Sequence, residues 1–321
     1  MRSRPESHFG QLASWRELVL RTYGCRPLYF LAETEGRVRG VLPLFERSGR
    51  EPALFSPPGG LLADDETVAA ALLEPAREAL ARRRLGYLEL RDQRRRWPDL
   101  ETSEEHVTLV LELADDEKTQ WRTFDAKLRN QIRKALKAGF ETRWGPGEIP
   151  TFHRVMLENM RDLGTPIRDR RYYERTFAAL GPAADVMTIR QGGEPAGAMF
   201  LVRHGDTLMD PWASSLRRFF AFCPNQMLYW EALRRAIALG LRRFDFGRSQ
   251  WNSNTYRFKE QWGAAPAPLF YQYVLGRARR IPTLEEQKGG FALAVSLWKR
   301  LPLPLARALG EPAKRMFPEV L

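Results

Sequence analysis

One order of elements is written twice in this 321-residue chain, and it limits the fold more than any other feature. The segments EGRVRGVLPLF (35–45) and GGEPAGAMFLV (192–202) share a turn glycine, Gly36 and Gly193, and a second glycine at the same later position, Gly40 and Gly197. Further on, EPAREALARRRLGYLEL (74–90) and YWEALRRAIALGLRRFDF (229–246) each run from a helical pattern through a glycine into a strand. A repeat of this kind predicts two related mixed α/β domains.

In chain order, Leu12, Trp15, Leu18 and Val19 recur at helical spacing, and Gly24 ends that helix. PLYFLAE and VRGVLPLF predict a hairpin about Glu35-Gly36-Arg37. LFSPPGGLL reads as a loop after a third short strand, Asp65 to Arg84 as a helix with acid first and arginines last, and GYLELRD as a strand. Residues 92–105 read as an exposed polar loop before the alternating strand HVTLVLEL. Asp116 to Gly139 predicts one long helix made basic by Lys127, Arg129, Arg133, Lys134 and Lys137. That helix is either a solvated linker or a surface that faces phosphate, with Arg129 and Arg133 as candidate contacts.

The second half repeats this grammar. Helices over 149–163 and 170–180 precede the strands ADVMTIRQ, PAGAMFLV and TLMDPWAS. A helix then runs from Pro224 to Gly240, followed by the strand RRFDFG and a final strand PLFYQYVL. From Gly276 the tail is basic, amphipathic and interrupted by prolines. It reads either as packing on its own domain or as resting on an anionic membrane. The expected division is a first domain over 1–114 (N-terminally short), a connecting helix over 115–139, a second domain over 140–280 that carries the site, and the tail over 281–321.

Composition narrows the partners. With 44% hydrophobic residues the chain can bury a sizeable core, and a formal net charge of +12 with a pI near 10.0 favours anionic partners such as tRNA, a phosphate-bearing coenzyme, a nucleotide-sugar, a lipid-linked substrate or a membrane. Cys25 and Cys223 make neither a disulfide framework nor a metal knuckle, and His8, His106, His153 and His204 lack zinc-ligand spacing, so no metal is expected. Without a signal-peptide core or a spanning run, the expected location is the cytoplasm, with peripheral contact at the inner face of the membrane an option through the tail.

The chemistry concentrates in LRRFDFGRSQWNSNTYRFKEQWG (241–263). An apolar strand reaches Asp245 and breaks at Gly247. A polar loop then carries Arg248, Ser249, Asn252, Asn254 and Tyr256, and Phe258-Lys259 follows. An acid at the carboxyl end of a strand in an open α/β sheet lies where such sheets bind ligands. Asp245 therefore reads as an acceptor for an amine proton, or as a cap for the loop.

Hairpin, strand, helix and strand with a polar loop is the order of an acetyltransferase-type (GNAT) domain. Its duplication about a basic helix resembles the FemAB family of tandem GNAT-fold acyl and aminoacyltransferases. KLRNQIRKALKAGFE, the run Met160-Arg161-Asp162-Leu163-Gly164-Thr165-Pro166, and FDFGRS with YRFKEQWG carry the resemblance, which is closest to FemAB-related proteins associated with PEP-CTERM/exosortase systems and exopolysaccharide clusters. It implies amide formation on an amine of a cell-envelope or exopolysaccharide precursor, with Phe258 and Lys259 at the transfer site. The helical hairpin that some relatives use for tRNA contact has no counterpart here. The donor therefore stays open between aminoacyl-tRNA and acyl-CoA, and no tightly bound cofactor is expected.

Within that frame Lys259 is a candidate to stabilise an oxyanion or neutralise a donor phosphate. Arg248 is a candidate clamp, Ser249, Asn252 and Asn254 could satisfy loop backbone and substrate alike, and Tyr256 is a proton relay or a packing aromatic. Asp210, before Pro211-Trp212, faces the cleft or serves a turn, and Trp212 joins it as a substrate-binding candidate. Acetyl-CoA enzymes of this fold hold pyrophosphate on a glycine-rich loop before a helix. RRFFAFCPNQ at that place has no glycine, which leaves Arg217 and Arg218 as phosphate candidates, and Cys223 reads as a buried thiol. An acyl-CoA-dependent N-acyltransferase and a non-catalytic binding protein of an export system are the alternative readings.

Overall fold

The computed structural model describes residues 7–48, 52–281 and 291–316. In chain order these form α1 (Ala13–Tyr23), β1 (Arg26–Thr34), β2 (Arg37–Arg47), β3 (Ala53–Phe55), β4 (Leu62–Ala63), α2 (Glu66–Arg82), β5 (Tyr87–Asp92) and β6 (Glu101–Glu112). Then come α3 (Glu117–Thr123), α4 (Ala126–Lys137), β7 (Glu141–Trp144), α5 (Ile149–Leu163), α6 (Arg170–Leu180), β8 (Ala184–Gln191), β9 (Glu194–His204) and β10 (Thr207–Ser215). The chain continues through α7 (Pro224–Ala238), β11 (Arg243–Gln250), α8 (Asn254–Glu260), β12 (Ala265–Leu275), α9 (Phe291–Lys299) and α10 (Leu303–Met316).

The described residues form two compact units, one of residues 7–108 with 267–281, the other of 109–266 with 291–316. In the first, β1, β2, β3 and β5 are neighbours in that order. β12 pairs antiparallel with β5 in the register Phe270↔Asp92 to Leu275↔Tyr87, so the strand that the sequence assigns to the second domain completes the sheet of the first. Apolar residues at helical spacing on α2, Ala69, Leu72, Leu73, Ala76 and Leu80, pack on Leu42, Leu44, Leu54, Leu88 and Leu90 of the sheet.

The second unit orders β11-β10-β9-β8-β7. Both α5 and α7 pack against β9. Residues Pro195 to Val202 are consequently buried in unbroken succession, the pattern of a strand with both faces covered.

The repeated glycine has a physical cause in each unit. A Cβ on Gly40 would stand 2.7 Å from Val68 and 2.8 Å from Leu72 of α2, and one on Gly197 would stand 2.9 Å from Leu228 of α7. Each marks the point where the long helix of its unit lies against the central hairpin, and only a residue without a side chain permits that approach.

Four further expectations change. The connecting segment is two helices, because Phe124 is extended and buried against Trp230 and Trp262, and Asp125 starts α4 by accepting from the Leu128 N–H at 2.6 Å. The exposed loop shrinks, since β6 begins at Glu101 and the Arg96 side chain is buried on Asp92 at 2.7 Å. The strand RRFDFG runs on to Gln250, so Gly247 does not end it. Cys223 is half-buried with φ 58 at the start of α7, which is not the buried thiol expected.

The described part of the tail packs on its own unit: Gly164, which caps α5, lies against Val295 of α9, and Arg168 pairs with Glu311 of α10 at 2.9 Å. Among the described residues no helix is long and apolar enough to cross a membrane.

Gly197→Ala is expected to cost about 1–3 kcal/mol in urea unfolding, the range for overpacking a filled core. Gly40→Ala should cost more, because the Leu62 carbonyl oxygen, 3.0 Å from the added Cβ, belongs to backbone that cannot rotate away.

Candidate active site

The site lies in the second unit, where two parallel strands part. β10 and β11 pair through Thr207↔Arg243, Leu208↔Phe244 and Met209↔Asp245, and the ladder stops there. The stop has local causes. Pro211 has no N–H to donate, β10 is irregular against β9 between Met209 and Trp212, and Gly247 on β11 turns at φ 72. A Cβ at Gly247 would come within 3.2 Å of the Asp210 carbonyl oxygen and 3.3 Å of its Oδ1. Glycine there lets the two strands approach without a side chain between them.

Asp210, Asp245, Ser249, Tyr229 and Lys259, from four different elements, are all buried there. Lys259 lies within α8, with Nζ donating to the Gly247 carbonyl at 2.8 Å and the Arg248 carbonyl at 3.2 Å. Asp245 Oδ1 accepts from the Gly247 N–H at 2.8 Å. The Tyr229 hydroxyl donates to Asp210.

The electrostatics follow from this packing. Burial pushes the Asp210 carboxyl up to about 7, with Asp245 adding to the rise while Lys259 and the Tyr229 hydrogen bond oppose it. Burial likewise lowers Lys259, against the pull of Asp210 and Asp245, and raises Tyr229 well above its ordinary value. Asp210 is thus a carboxyl whose charge changes near neutral pH, as a general base requires. Ser249 Oγ has no hydrogen-bond partner among the described residues, an unusual state for a hydroxyl that is 6% exposed.

The other predicted residues divide. Phe258 packs its ring on Tyr229 at 5.2 Å and on Trp262 at 6.3 Å, forming a wall beside the cluster. Arg248 is exposed. Asn252 takes the turn at φ 57, Asn254 opens α8, and Ser253 caps that helix by accepting from the Tyr256 N–H. Tyr256 is buried under Trp251, with its hydroxyl on Glu260. Trp212 meets Tyr172, Tyr173 and Phe200 edge to face, in an aromatic cluster with α6 and β9.

Of the phosphate candidates, Arg218 pairs with Glu158 and Glu194, and Arg133 lies over the Trp121 ring. Arg217 is exposed with no carboxylate partner among the described residues, and Arg129 Nε is buried without one. Residues 217–222 form a 3-10 turn in place of a glycine loop.

Sequence reasoning missed Tyr229. Inside PNQMLYWEALRR it looks like any core aromatic, and nothing local distinguishes it.

Lys259→Ala removes the only cation buried between the two carboxylates among the described residues and leaves two backbone carbonyls without their donor. A loss of about 3–5 kcal/mol in chemical denaturation is expected, the cost of breaking a buried charge pair from one side.

Comparison with known proteins bears on the fold. A family model described as an acetyltransferase (GNAT) domain matches residues 122–260, which include every member of the buried cluster. Among solved structures, FemX superposes with a TM-score of 0.70 at 15% identity, covering 86% of this chain and 94% of that one. The L-PGS of Bacillus licheniformis gives 0.55 at 11% identity, with 92% and 100% covered. A tandem GNAT protein from the clavulanic acid biosynthesis pathway gives 0.51 at 12%, with 83% and 87% covered. A comparison with curated proteins finds no match. The chain is therefore a mixed α/β protein of tandem GNAT-like architecture, in which residues 122–260 match the model of an acetyltransferase (GNAT) domain.

Proposed function

We propose that the protein transfers an acyl or aminoacyl group to an amine of a cell-envelope or exopolysaccharide precursor, in the cytoplasm, at the cluster where β10 and β11 part. The observation that carries this reading is Asp210, a buried carboxyl held near a pKa of about 7 at the ligand-binding end of the parted strands.

In the reaction the amine nitrogen attacks the carbonyl carbon of an activated ester or thioester. A carbon–nitrogen bond forms, the carbon–oxygen or carbon–sulfur bond breaks, and the leaving hydroxyl or thiol takes up a proton. Asp210 accepts the proton that the amine loses, and the Tyr229 hydroxyl holds that carboxylate in place. The unpartnered Ser249 hydroxyl is free to donate to the carbonyl oxygen of the donor. Lys259 is a positioning residue: two of its N–H groups are bound to the Gly247 and Arg248 carbonyls, and its charge offsets Asp245.

The donor is aminoacyl-tRNA or acyl-CoA. The 217–222 turn offers no glycine cradle for a pyrophosphate, which supports the aminoacyl donor, and the exposed Arg217 is the cation open to its phosphates, with the half-buried Arg129 a second candidate.

Incubating the purified protein with an amine acceptor and either acyl-CoA or charged tRNA separates the donors by thiol release or by tRNA deacylation. With an acceptor whose own pKa lies far from 7, kcat/KM should rise with pH as Asp210 ionises, because only the carboxylate can take the proton. Asp210→Asn should lower kcat/KM by about 100- to 10,000-fold and remove that limb. A limb that survives in Asp210→Asn would assign the base elsewhere.

A further inference from the structure

A second charged site lies on the outer side of the same unit. A cavity of about 740 Å³ is bounded by His153, Arg154 and Leu157 of α5, by Asp169, Arg170 and Arg171 at the start of α6, and by Leu303, Pro304, Arg307 and Ala308 of α10. Its floor is apolar and its rim carries four arginines. Arg170 pairs with Glu174 at 2.9 Å, whereas Arg154, Arg171 and Arg307 have no carboxylate partner among the described residues. Asp169 is the single acid of the lining, and it is engaged in accepting from the Tyr172 N–H at 2.9 Å.

Asp169 caps α6, and the first turn that follows brings Arg170 and Arg171, with no further acid, to a cavity also lined by Arg154 and Arg307. Three of the four arginines, Arg154, Arg171 and Arg307, thus stand around one hollow without a carboxylate partner among the described residues, and an anion there would supply the counter-charge. His153, buried beside them, donates through Nε2 to the Arg168 carbonyl at 3.2 Å, and burial, with the neighbouring arginines, lowers its pKa.

The rim continues into an apolar face. On α10 each residue turns about 100° from the last, so Leu305 and Leu309 stand one step round from the cavity-lining Pro304 and Ala308. Both leucines are exposed, at 51% and 46%. On α9, Leu293 and Leu297 repeat the exposed one-turn spacing. Paired leucines beside a ring of arginines match the chemistry of a phosphate headgroup attached to acyl chains.

We infer that this cavity docks the protein on an anionic phospholipid surface, with Arg154, Arg171 and Arg307 around a lipid phosphate and Leu305 and Leu309 in the acyl region. Docking is independent of the transfer reaction, and its test needs no turnover.

The full chain is sedimented with vesicles of phosphatidylcholine alone or mixed with phosphatidylglycerol. Binding to the mixed vesicles only is expected. Arg154→Ala/Arg171→Ala/Arg307→Ala should weaken it by about 100-fold, from roughly fivefold per basic residue at a surface. Leu305→Ser/Leu309→Ser should weaken it about tenfold or more through lost apolar burial. Arg26→Ala/Arg37→Ala/Arg82→Ala removes the same charge from the first unit and should change it by no more than about threefold, with circular dichroism confirming that each variant is folded.

Equal losses in the two arginine variants would reduce the effect to net charge and overturn the site. Absence of binding to mixed vesicles would overturn it as well. So would saturable binding of glycerol 3-phosphate without vesicle binding, which would assign the cavity to a soluble phosphate ester.

Discussion

The Lys259 ammonium holds the active end of the second unit together. A buried ammonium is tolerable only when charges and hydrogen-bond acceptors surround it, and here they are Asp210, Asp245 and the carbonyls of Gly247 and Arg248. The same contacts hold β11 in the shape it takes after the ladder ends. One cation serves two carboxylates here, and burial, with a smaller push from Asp245, moves the Asp210 pKa up to about 7. Packing and electrostatics at this candidate site therefore have one origin.

The aromatic residues around the cluster make that electrostatics possible. Tyr229, Phe244, Phe246, Phe258 and Trp262 pack ring against ring, and Phe124 joins them where the connecting segment breaks into two helices. The Tyr229 ring is held in this cluster, and its hydroxyl bonds Asp210, which is buried like Asp245. The break at Phe124 is thus part of the site: a continuous helix would not deliver that ring to Trp262.

The first unit shows what the same architecture does without an opening. β3 and β5 pair in parallel through Phe55↔Glu89, as β10 and β11 do. There the chain closes over the strand ends: Ser56 donates its N–H to the Glu89 carbonyl at 2.9 Å, and its Oγ accepts from the Arg91 N–H at 2.7 Å. Gly60 lies so close that a Cβ would be 2.6 Å from the Arg91 carbonyl oxygen. Arg91, paired with Glu89 between the Phe55 and Tyr271 rings, is structural. The gap that holds the buried charged cluster in the second copy is filled in the first by the Ser56–Gly60 segment.

The sequence by itself determined the elements and their duplication. Turn glycines, helix caps and hydrophobic period act over a few residues, so both hairpins, α2, α5, α6 and α7 were legible, as were Asp245 and Lys259 as candidate site residues. Gly40 and Gly197 were legible as a repeat but not as helix contacts, because that meaning depends on α2 and α7. Only the tertiary structure decided that Asp210, between two prospective roles in the sequence, meets Tyr229 and Lys259, that Trp212 belongs to an aromatic cluster with α6, and that β12 returns to the first unit. Burial and charge coupling between residues far apart in the chain set these outcomes, and neither quantity has a local signature in the sequence.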